Sequence, residues 1–223
     1  MIWMHYLAGI QSADEEVLMS LVASVVSLPA SPYPPLAVGF MGLGTGYLIY
    51  GPQELFGYPK RDASVDLATG IWGVWMPGFL QFITGVYLFL GLTLFGTFTA
   101  APLYMAALAF TAYGVHWFAL GWTRMKRTDP RVQLGMSVAF LVISITGMIV
   151  FFKASDPEVG GLFIGLACVY VCEFLASLKP DVPGIGTLGE RLLGFFHIGT
   201  GIYLMYLMFA VATDFAMKWT LKV

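Results

Sequence analysis

Charge is what this chain has least of. Of its 223 residues, 11 are Lys or Arg and 13 are Asp or Glu, 11% in all, where soluble domains carry roughly a quarter. With 58% hydrophobic residues, that shortage excludes a soluble single domain. Residues 67–123 contain no Asp, Glu, Lys or Arg, and at ~20 residues per crossing they hold about two crossings and a turn. Strands of the ~10-residue alternating kind are missing too, which excludes an outer-membrane barrel. The basic residues are scattered and the net charge is only -2, so there is no patch for nucleic acid and no polybasic lipid-binding cluster. Cys168 and Cys172 are the only cysteines. Four apart in an apolar run, they share a helix face and read as packing residues, with no disulfide and no complete metal site. No basic n-region leads into an apolar stretch and a small-residue cleavage site, so the N-terminus reads as mature sequence. No nucleophile–base pair, phosphate loop or full ligand set appears, and neither an enzyme, a cofactor nor a metal site is expected.

What is present reads as an all-α polytopic membrane protein. Charges and breakers delimit six transmembrane helices, near residues 35–50, 68–95, 101–122, 132–152, 159–178 and 191–213. Ahead of them, Ser12 and Glu15 form a capping box, and Val17, Leu18, Leu21, Val22 and Val25 make one stripe. About 12 apolar residues are too few to cross, so this segment is expected to lie in the interface. The chain then divides into an N-terminal segment, 1–30, and a six-helix domain, 31–223. Eight of eleven basic residues (Lys60, Arg61, Arg124, Lys126, Arg127, Arg131, Lys179 and Arg191) fall in alternate loops, which puts those loops in the cytoplasm and both termini outside. Trp3, Tyr6, Trp122 and Trp219 fall near the interfaces as belt anchors.

Ionisable groups at membrane depth are costly, and each is a functional candidate. His116, Glu173 and His197 all count to within roughly 10 Å of the cytoplasmic ends of their spans, at ~1.5 Å per residue. One shared polar layer is the expectation. It could serve as a titratable vestibule or proton site, as a metal triad, or as separate hydrogen bonds between helices. Gln81 lies near the middle of span two with Pro77 one turn before it, and reads either as a substrate contact or as a bond to the carbonyl that the proline frees. Gly42 with Gly46 and Gly161 with Gly165 are GxxxG pairs, chiefly helix-contact surfaces. Pro32, Pro34 and Pro35 keep the opening of span one non-helical.

Three stretches resemble the acetate uptake transporter family. SPYPPLAVGF at residues 31–40 is similar to its N-P-x-P-L-G-L-x-x-F opening and keeps Pro32, Pro34 and Phe40. Gln81 and Gly85 of QFITG, with LAFTAYGVHW at residues 108–117, look like its Q-x-x-x-G and T-x-F-x-S-Y-G-x-F-W. GLFIGLACVY at residues 161–170 is similar to G-L-x-x-G-x-x-A-x-Y of its last span. The resemblance implies a six-span channel or transporter for acetate or a similar small monocarboxylate in the plasma (inner) membrane. It also implies one pore per protomer of a homo-oligomer, a hexamer by family pattern. Phe40 and Tyr113 match the aromatic pair that narrows the family's pore, and Gln81 matches its glutamine; the third member of the constriction has no match. The alternative is a non-catalytic accessory subunit of a larger membrane complex, with the lipid bilayer and other subunits as its partners.

Overall fold

A computed structural model describes residues 33–218 of the chain. The expected interfacial helix, the domain boundary near residue 30 and the anchors Trp3, Tyr6 and Trp219 lie outside these residues. Six long helices make up the described part, with no strand: α1 Leu36–Phe56, α2 Ala63–Thr93, α3 Pro102–Lys126, α4 Gln133–Lys153, α5 Pro157–Ser177 and α6 Pro183–Met217. Helices α2 to α6 are each long and apolar enough to cross a membrane. At 21 residues α1 has the length, but its Gly, Thr, Gln and Glu dilute its hydropathy, and half of it is buried among the other helices.

Local chemistry sets the helix ends. Pro102, Pro157 and Pro183 occupy first positions, where a missing N–H costs nothing and the fixed φ suits a helix. Asp62 caps α2 by accepting from the Ser64 and Val65 amides at 2.8 and 2.9 Å, and Asp156 caps α5 through Val159 at 3.0 Å. Gly57, at φ 69°, closes α1 by donating to Gln53 O, a left-handed turn that glycine adopts without strain.

Two helices extend beyond the bounds expected from the sequence. Span one does not stop near residue 50: α1 carries Pro52 within it and continues to Phe56, because a proline inside a packed membrane helix is tolerated. Span six starts at Pro183 and not near 191, since Glu190 and Arg191 are solvated helix residues and not a loop. Within α2, residues Val74–Phe79 widen into a π segment around Pro77, the usual adjustment to a mid-helix proline.

Each helix packs against the next in sequence, and α6 closes onto α1, so the six form a ring around a central axis. Lipid offers no hydrophobic gain for helix association, and close approach at small residues takes its place. A Cβ on Gly42 would come within 2.6 Å of Met76 O, and one on Gly46 within 2.6 Å of the Pro77 ring, so this pair holds α1 against α2. Gly114 lets α3 meet α2 backbone to backbone, 2.5 Å from Phe82 N to the position of a Cβ. Of the second pair, Gly165 fits against Thr200 of α6, while Gly161 faces nearly open space.

Candidate functional site

Two cavities lie along the axis of the ring. The first, about 210 Å³, is mainly apolar and is lined by Phe40, Leu43, Gln81, Phe110, Tyr113 and Leu166 among others. The second, about 360 Å³, opens at the Arg-rich end and is lined by Tyr47, Tyr50, Glu54, His116, Tyr170, Glu173 and His197, with Arg61, Arg124, Arg127 and Lys179 at its mouth. The lining changes from one cavity to the other between Leu43 and Tyr47 on α1, Tyr113 and His116 on α3, and Leu166 and Val169 on α5. The step is three or four residues on each of these helices, so the cavities end about one turn, ~5 Å, from each other.

A layer of rings fills that step. Tyr113 stacks on Tyr170 with centroids 5.6 Å apart, Phe140 lies against both, and Tyr47 approaches Trp117 at 6.0 Å. Ser144 Oγ donates to Phe140 O, so the Tyr113 hydroxyl, 2.9 Å from Ser144 Oγ, donates to it in turn. That bond ties the Tyr113 ring to α4. Phe40 stands at the apolar side of the layer, packed on Phe110 at 5.6 Å; it shares a cavity with Tyr113 but forms no ring pair with it among the described contacts. Leu166 is buried and lines the same cavity. A lone leucine in an apolar span carries no signal that would have singled it out.

Gln81 is completely buried, at 0% exposure, and lines the apolar cavity. Neither its amide nitrogen nor its oxygen has a hydrogen-bond partner in the protein. The bond to a freed proline carbonyl is therefore not made, which removes the kink-stabilising alternative.

His116, Glu173 and His197 line one cavity, as two couples and not as a converging ligand set. His116 Nε2 is 3.9 Å from Glu173 Oε1. His197 Nδ1 is 2.6 Å from Glu54 Oε2, a residue missed in the sequence because span one was ended before it. Its signal was available: Glu54 lies one turn beyond Tyr50 on the same face. Around the mouth, Asp66 receives Arg61 at 2.8 Å and Arg127 at 3.1 Å, and Lys179 is paired with Glu190. Arg124 donates to Gln53 Oε1 at 2.5 Å and lies 4.1 Å over the Tyr50 ring. Outside the spans, the Asp129 carboxyl is held down at about 2, chiefly by hydrogen bonds from the Arg131 guanidinium and amide.

The described chain superposes on the solved structure titled as the bacterial acetate channel SatP with a TM-score of 0.65 at 16% identity, covering 84% of this chain and 96% of that one. This chain shares the fold of that solved structure. It is an integral membrane fold, and the resemblance seen in the three motifs extends to the architecture. No family model and no curated protein matches the sequence.

Proposed function

We propose that the chain conducts acetate or a similar small monocarboxylate across the plasma (inner) membrane, along the axis of each protomer in a homo-oligomer. The observation that carries this reading is Gln81: a fully buried amide with both polar atoms unpaired, in a mainly apolar cavity whose other polar side chains are Tyr113 and Asp156. Such a group costs free energy unless it meets a ligand. A small carboxylate meets it well, since its oxygens accept from the amide N–H while its methyl group fills apolar space. From there the anion passes the layer of Phe40, Tyr113 and Leu166 into the polar cavity, where binding is weak enough for release. The fold likeness supports the same reading.

In the polar cavity, Glu54, His116, Glu173 and His197 supply the ionisable lining of the pathway. The test is uptake of radiolabelled acetate into proteoliposomes. Saturable uptake above that of protein-free vesicles is expected and would fall in Gln81→Met; uptake no greater than in protein-free vesicles would overturn the proposal.

A further inference from the structure

Four cations stand at the mouth of the polar cavity, and three of them are spoken for. Arg61 and Arg127 share Asp66, and Lys179 holds Glu190. Arg124 alone has no carboxylate within ion-pairing distance among the described residues: it is held by Gln53 Oε1 through one terminal nitrogen and by the face of Tyr50. Glu54, which lines the same cavity, is engaged by His197.

The donor count at this spot is unbalanced. Arg124 spends Nη1 on Gln53, which leaves Nε–H and an Nη2–H, the side of the guanidinium fork that receives a carboxylate in two parallel bonds. The Gln53 amide nitrogen is buried and has no partner. The orientation of that amide is fixed, because turning it over would set its N–H against the Arg124 N–H. Tyr50 contributes nothing more, its hydroxyl being bonded to Thr69 O at 3.1 Å. The result is a cluster of donors without an acceptor, and a ligand that only accepts completes it.

We infer that Arg124, seated on Tyr50 and Gln53, is a carboxylate-binding site at the cytoplasmic end of the pathway, and that it selects monocarboxylates. The selection follows from the rest of the cavity. A short neutral tail faces Tyr47, Trp117 and Leu120, whereas a second carboxylate would face Glu54 and Glu173. This deepens the transport reading and rests on it for the route of the anion, but binding can be measured without flux.

The experiment is titration of the purified full chain, by calorimetry, with acetate, succinate and the neutral analogue acetamide, followed by acetate flux in vesicles for each variant. Acetate is expected to bind, with succinate and acetamide weaker. Arg124→Gln should weaken acetate by about tenfold or more, the usual worth of a charge-assisted bond, while Arg131→Gln, whose cation is paired with Asp129 and Asp181 on the surface, should not. Because Arg124→Gln removes a partly buried contact, Gln53→Glu provides a second variant: it places a carboxylate beside Arg124, fills the site from within and should weaken acetate binding by about tenfold or more in a protein at least as stable. Acetate binding unchanged in Arg124→Gln or Gln53→Glu overturns the inference, and if flux persists the transport reading survives it. Arg124-dependent binding in a wild type without flux supports the site and overturns transport.

Discussion

Replacing Gln81 by methionine should make the protein more stable and less able to handle acetate. The two side chains are close in volume and shape, so the swap adds little packing strain. What it removes is an amide with an unpaired donor and an unpaired acceptor, fully shielded by the protein. An unsatisfied buried polar group costs about 1–3 kcal/mol. With part of that cost relieved where the amide borders the cavity, Gln81→Met should gain about 1–3 kcal/mol in all. For a chain of this size that is a rise in melting temperature of roughly 2–4 °C per kcal/mol. Function should move the other way. Loss of one hydrogen bond to a carboxylate, about 1.5–3 kcal/mol, corresponds to roughly ten- to a hundredfold weaker acetate handling. Thermal unfolding in detergent and the concentration dependence of acetate uptake read the two effects side by side. A variant that melts no higher than wild type, or that keeps its half-saturating acetate concentration, refutes the reasoning. The first result means that the amide is already satisfied, the second that the anion does not meet it.

Other consequences can be checked independently. Phe40→Ala or Tyr113→Ala should widen the aromatic layer, so that lactate crosses proteoliposomes more readily relative to acetate than in wild type. Gly114→Ala should destabilise by about 1–3 kcal/mol in the same unfolding assay, because the new Cβ meets Phe82 N, Gly78 O and Phe82 Cα within 2.8 Å and none of these backbone atoms can turn aside. If the distribution of Lys and Arg sets the orientation, with the basic loops in the cytoplasm, a cysteine at Thr128 should resist an impermeant thiol reagent added outside sealed cells. Asp129 should keep its cap on Arg131 well into acid: its folded pKa lies below the unfolded value of about 3.9, so the contribution is present above pH 4 and lost only as pH falls through about 2. Carboxyl chemical shifts of Asp129 against pH read this directly.

The helices were legible because apolar runs of membrane length have few other solutions. His116 and His197 were legible as unusual, and counting residues from the span ends brought them to one cavity with Glu173. Glu54 escaped because Pro52 and a charge together resemble a loop, whereas α1 stays helical through both. Arg124 and Leu166 escaped for another reason. Basic residues at a span end and leucines within a span are ordinary, and their roles depend on which neighbours they meet across the ring. Arg124 stands out only when Arg61, Arg127 and Lys179 are seen to be paired. Gln81 shows the reverse: the sequence left it between a structural bond and a substrate contact, and the missing partner in the fold decided against the first.

The central claim is that the anion travels along the ring axis through the layer between the two cavities. A single cysteine at Leu43, which is buried at the floor of the apolar cavity, tests it once Cys168 and Cys172 have been replaced by alanine. Acetate flux should be retained before modification and should stop when a bulky thiol reagent, with occupancy confirmed by mass spectrometry, plugs the axis. Undiminished flux at full modification would contradict the account.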